Sequence, residues 1–142
     1  MASEQKIEAL SGEDAVHADK QRAWVRGHYE PEAQHKYETI DGKFRLLQII
    51  LDEGWIEPTE TWKLQSLGIV FGDILAQGLG LQWVLVDDEH GRTPALQVPD
   101  TTIILYPWTS ISKRIERGEQ VDVQELYKGF QETVEDMRRK GY

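Results

Sequence analysis

Between Leu64 and Val86 the chain carries a single formally charged side chain, Asp73. This stretch lies within TWKLQSLGIVFGDILAQGLGLQWVLV, which opens at Thr61. From Leu67 to Leu79 the apolar residues Leu67, Ile69, Val70, Phe71, Ile74, Leu75, Ala76 and Leu79 fall on nearly every side of a helix. Such a helix must be surrounded by other elements. Gly and polar residues break it well before the ~20 apolar residues that a bilayer span requires. The pattern predicts a central helix over about Pro58 to Gln77, stopped by Gly78 and Gly80, with a strand running on from Leu81. Its polar stripe is narrow, because Ser66, Asp73 and Gln77 lie within a few tens of degrees of one another at 3.6 residues per turn. Gly68 and Gly72 cost about 1 kcal/mol each against Ala in a helix interior. Their presence predicts the close approach of another helix or a Trp ring.

The rest of the chain supplies elements to wrap this unit. A helix is expected over about Gly12 to Tyr29, its start marked by Ser11 with Asp14 as a capping box. Its apolar positions are sparse, which puts it on the outside. A second helix is expected over Gly42 to Glu53 with Asp41 as N-cap, closed by Gly54, and with Trp55-Ile56 packing back on it. After the central helix comes a β-meander. Leu81 to Asp87 and the β-branched Thr101 to Tyr106 are its better strands. Arg92 to Val98 is poorer, and Pro94 marks it as an edge. A short helix over Thr109 to Arg117 and a last helix from Asp122 complete the chain. The last helix carries Val123, Leu126, Tyr127, Phe130, Val134 and Met137, a full amphipathic stripe. The expectation is one α+β domain over residues 1–142. Helices pack on a three-stranded antiparallel meander around a buried central helix, and residues 1–10 are loose.

Composition limits function more than it defines it. The 142 residues hold 25 acids against 16 bases, a net charge of −9, which argues against a general nucleic-acid binder. Five Trp, five Tyr and three Phe are enough for a real core. With no Cys there is neither a disulfide framework nor thiolate chemistry, a usage that fits a cytoplasmic protein. The start MASEQKIEAL has no basic run followed by an apolar one, so no secretory signal is expected. No metal or cofactor is expected either. HExxH, GxxxxGK[ST] and GxSxG are all missing, and Gly78-Leu79-Gly80 follows a helix instead of a strand.

Candidate residues remain. Asp73 on a buried helix needs a partner. It is either a general base or ligand in a cleft, or a structural partner for a cation, with Lys113 and Arg114 the first choices, or for a Trp N–H. Lys113-Arg114 with Arg117 forms a small basic face suited to a phosphate or an acidic partner, or to plain ion pairs. Trp108 is either a surface anchor or core. Asp88 and Glu89, with Asp87 and His90, gather acids on one turn, but the alternating ligand spacing of a calcium loop is missing, and a solvated hairpin turn is the plainer reading.

Three segments resemble a known family. They are ETIDGKFRLLQIILDEGWI, then TWKLQSLGIVFGDILAQGLGLQWVLVDDEHGRTPAL, then TTIILYPWTSISKRIERGEQVDVQELY. Within them Leu67-Gly68, Phe71-Gly72-Asp73, Trp83-Val84, Asp88-Glu89 with Gly91, Ile111 to Arg114 and Gly118-Glu119 are the most specific pieces. Together they are similar to an uncharacterised bacterial domain-of-unknown-function family, the one numbered thirty-eight hundred and six, over roughly Glu38 to Phe130. The resemblance implies a small soluble bacterial domain and no particular reaction. Two functions stay open. One is a non-enzymatic interaction, adaptor or immunity-type domain with another protein as partner and no nucleic acid or membrane. The other is an enzyme or small-ligand-binding domain built on Asp73, Lys113 and Arg114.

Overall fold

The computed structural model describes residues 6–89 and 91–141. Its elements in order are β1 (Lys6–Ala9), α1 (Gly12–Arg26), a 3-10 helix (Pro31–Glu38), α2 (Ile40–Asp52), α3 (Thr61–Leu79), β2 (Gln82–Asp88), β3 (Gly91–Gln97), β4 (Ile104–Leu105), α4 (Ser110–Glu116) and α5 (Val123–Arg139). The fold is α+β, with helix well in excess of strand.

The central helix is α3. Leu64, Leu67, Ile69, Val70, Phe71, Ile74 and Leu75 are all buried, and α1, α2, α4 and α5 all pack on it. Of its three glycines, Gly68 and Gly72 have the roles that their spacing suggests, while Gly78, expected to help stop the helix, lies inside it. A Cβ on Gly72 would run into the Trp83 ring, and one on Gly68 would run into the backbone carbonyl of Trp108. The helix ends at Gly80, which takes a left-handed conformation at φ 70°, open to glycine at little cost.

The sheet has four antiparallel strands in the order β1-β2-β3-β4, one more than the meander expected. The added strand is β1, taken from residues expected to be loose, and it pairs Lys6 with Asp87 through Ala9 with Val84. Residues 1–5 of that expectation lie outside the described residues, as does His90 of the β2–β3 turn. Pro94 sits in a strand that has neighbours on both sides. It is tolerated because β4 reaches only Leu96 and Gln97, leaving the strand beside Pro94 open on that side. β4 itself is short. Thr101 accepts from the Ile103 backbone N–H and donates to the Val98 carbonyl, so a turn consumes the first half of TTIILY. Trp83, Leu96 and Leu105 share the face toward α3, while Val84, Val86 and Ala95 form a smaller apolar cluster with Ile104 on the other face.

Helix ends are set locally, with some exchanges of role. Thr39, not Asp41, caps α2 by accepting from the Gly42 backbone N–H. Ser11 makes no side-chain cap bond, and Asp14 instead pairs with Arg92 on β3 at 2.9 Å. Asp122 caps α5 by accepting from the Glu125 backbone N–H, as its spacing predicts.

Candidate functional site

The polar stripe of α3 is used residue by residue. Ser66 donates to the Trp62 carbonyl one turn back. Asp73 meets Arg22 of α1. Arg22 Nε donates to Oδ2 at 2.8 Å and Nη2 donates to Oδ1 at 3.0 Å, a two-bond fork. Trp83 Nε1 donates to the same Oδ1 at 2.9 Å, and the Arg22 Cζ lies 6.0 Å from a Trp83 ring centroid. Gln77 accepts from Lys43 Nζ at 2.6 Å. Thus the cation on Asp73 is Arg22, and neither Lys113 nor Arg114 takes that place. Arg114 donates to the Ser110 carbonyl within α4, and Lys113 is exposed. The proposed cluster of Asp73, Lys113 and Arg114 is not assembled. Sequence could not choose Arg22, which stands 51 positions away on a helix with little pattern.

Electrostatics follow from this packing. Burial alone would lower the Arg22 pKa, but the hydrogen bonds and charge of Asp73, with Asp19 added, outweigh it and raise it. Burial pushes the Tyr37 phenol up, and the negative charge of Asp73 adds to the shift. Burial pushes the Lys43 ammonium down, opposed by Asp73 and Glu38. Lys43 is held over the Tyr37 ring at 4.9 Å and donates to the Glu38 carbonyl at 3.3 Å.

Asp73→Ala is expected to cost about 1–3 kcal/mol. The side chains of Arg22 and Asp73 are 24% and 17% exposed, so solvent screening reduces the ~3–5 kcal/mol typical of breaking a fully buried pair. Urea denaturation of both single alanine variants and the double variant checks this. Contacting residues should couple by ~0.5–3 kcal/mol, and additive losses would show that the fork is not a structural unit.

A second feature is an aromatic strip that the sequence reading did not assemble. Trp24 of α1 meets Trp62 of α3 edge-on at 5.9 Å and His28 at 4.6 Å. His17 meets Trp62 at 6.4 Å, and His28 stacks on Trp55 at 6.0 Å. Trp55 was expected to pack back on α2, yet it is 52% exposed, and Trp62 is 40% exposed. Ile56, the other half of that expectation, does pack against the core. His28 Nδ1 lies 2.9 Å from the Trp24 carbonyl and 3.1 Å from that of Val25. Both partners only accept, so Nδ1 carries the hydrogen. The overlooked signal was the spacing of His17 and Trp24, seven apart on one face of α1, with His28 two residues past its end.

The other candidates take ordinary places. Trp108 is partly buried, with its indole nitrogen inside the protein. Asp88 closes β2 and Glu89 lies in the turn after it. Among the described residues no group of three or more His, Cys, Asp or Glu is placed to hold a metal, and no helix is long and apolar enough to cross a membrane. Two open grooves flank Gln120-Val121-Asp122. The larger, about 1070 Å³, lies against α2, and the smaller, about 440 Å³, holds Arg114 and Phe130. Asp73 lines neither.

This arrangement defines a small α+β protein in which Asp73 is tied up internally while Trp55 and Trp62 lie partly outside. The chain belongs to the family described as Domain of unknown function (DUF3806), which matches residues 43–127. It is also similar to a solved structure described as a crystal structure from Bacteroides thetaiotaomicron VPI-5482 at 1.50 Å resolution. The TM-score is 0.70 at 15% identity, over 90% of this chain and 47% of that one. The chain thus spans about half the length of that structure, and the likeness is one of fold. Among curated proteins none matches.

Proposed function

We propose that the protein is a non-enzymatic interaction domain of adaptor or immunity type, acting in the bacterial cytoplasm. Its binding face is the aromatic strip, and its occupant is a basic protein segment. The carrying observation is the pair of exposed indoles, Trp55 and Trp62, joined through Trp24, His17 and His28 into one surface. Trp is enriched in binding hot spots because a rigid ring gives a large contact at low entropic cost. Basic chemistry is favoured by charge. The net charge is −9, and Glu53 and Glu57 beside Trp55 are exposed. The strip already holds one cation, Lys63, whose Nζ lies 6.0 Å from a Trp24 ring centroid. A Lys or Arg over an exposed indole contributes ~0.5–1 kcal/mol. The lack of Cys fits a reducing compartment.

The test uses the five indole N–H resonances in proton–nitrogen NMR at about 0.15 M salt, where long-range charge effects are screened. Hexa-arginine is expected to move the Trp24, Trp55 and Trp62 signals and leave Trp83 and Trp108 in place, while hexaglutamate moves none. The Trp55→Ala/Trp62→Ala variant should lose the response. If no strip signal moves at millimolar peptide, or all five move alike, the reading fails.

A further inference from the structure

We propose that Asp73 and Trp83 form a guanidinium-binding cradle that Arg22 fills from within the same chain, and that this occupancy docks α1 and so assembles the aromatic strip. The cradle is built without Arg22. Asp73 is fixed on α3, Trp83 is fixed on β2 by its packing over Gly72, and the indole N–H orients the carboxylate at 2.9 Å. Two parallel N–H donors then meet the two carboxylate oxygens at 2.8 and 3.0 Å. A planar guanidinium makes this pattern, and an ammonium, as a point charge, does not. Tyr37, only 6% exposed, adds a buried hydroxyl without a hydrogen-bond partner in the same electrostatic field.

The two halves of the contact have different origins. Asp73 and Trp83 lie in the segment matched by the family, residues 43–127, whereas Arg22 comes from the flanking chain before it. Among the described residues, the side-chain hydrogen bonds joining α1 to α3 are those of Arg22 with Asp73. Besides this fork, α1 is held by its buried Ala18, Gln21 and Val25, by the Trp24–Trp62 ring contact and by the exposed Asp14–Arg92 pair to β3, so the fork is its polar lock on α3. α1 also carries His17 and Trp24, and His28 follows two residues after its end. Emptying the cradle therefore loosens the half of the strip that faces Trp62 and Trp55. The control of the strip rests on the proposed function, while the cradle itself does not.

Chemical rescue tests the cradle. Arg22→Ala is expected to lower the melting temperature by roughly 3–10 °C, in line with the usual sensitivity of domains this size, and to broaden the Trp24 and Trp62 indole signals. Millimolar ethylguanidinium should restore at least half of the lost melting temperature, sharpen both signals and shift that of Trp83. Ethylammonium should not, and the Arg22→Ala/Asp73→Asn variant should not respond to either. Equal action of the two cations, rescue of the double variant, or no rescue overturns the proposal. Arg22→Lys serves if the alanine variant fails to fold. It keeps the charge without the fork, and a wild-type melting temperature would also overturn the proposal. Hexa-arginine failing on the wild type while rescue succeeds would remove the strip's function and leave the cradle standing.

Discussion

Val134→Asp is expected to remove about 4 kcal/mol or more from folding stability, the range reached when an unpaired charge is forced into a core. Val134 is fully buried. The substitution forfeits ~1.5–3 kcal/mol of side-chain burial and forces a carboxylate into the apolar core cluster. Glu135 and Asp136 follow on the same helix and add like charge. Against a typical stability of ~5–15 kcal/mol, this loss leaves the fold marginal at room temperature. Urea denaturation followed by far-UV circular dichroism measures it. Phe130→Asp is the informative comparison. Phe130 is only partly buried and lines the 440 Å³ groove beside Arg114, so an aspartate there keeps access to water and should cost clearly less. A Val134→Asp variant within about 1 kcal/mol of wild type would mean that α5 is peripheral, since surface changes normally fall in that range.

Phe71→Ala is expected to cost about 3–5 kcal/mol, the usual loss for truncating a buried aromatic, in which the cavity adds to the transfer term. Phe71 is fully buried and heads the largest buried side chains of the protein. Its ring meets Phe130 at 5.6 Å in an edge-on geometry, linking the central helix to α5. The denaturant slope should stay unchanged while the midpoint falls. Phe71→Leu, which leaves a smaller void, should lose less. A Phe71→Ala midpoint equal to wild type would place the core elsewhere.

Both substitutions lie on helices that the sequence marked well, and the reason is that their signals are short-ranged. An all-round apolar helix has to be covered whatever covers it, and α3 follows directly from that requirement. Glycines at helix ends report a backbone state, and Gly54 and Gly118 take positive φ as their positions imply. The cap from Asp122 needs only a partner three residues on. Gly72 pointed to a ring, and the ring is that of Trp83. The six-residue stripe of α5 was also legible, but its periodicity gives six positions equal weight. Only the packing separates fully buried Val123 and Val134 from half-buried Leu126, Tyr127, Phe130 and Met137.

Tertiary structure decided the features that join distant segments. Every residue of β1 is on the exposed side, without an inside-outside alternation, and the strand joins the sheet through backbone pairing to β2 some 80 positions later. No side-chain pattern encodes such a partner. Asp73 advertised its need for a cation, but an Arg on a weakly patterned helix satisfies that need as well as any other. The choice of Arg22 over Lys113 or Arg114 follows from where α1 docks. The aromatic strip draws on α1, the α2–α3 connection and the start of α3, so it exists only once those three are packed. Periodicity, capping and positive φ are local free-energy preferences carried by a few neighbouring residues. Strand pairing, ion-pair choice and surface patches are settled by whole elements burying area together, and a one-dimensional pattern does not record that sum.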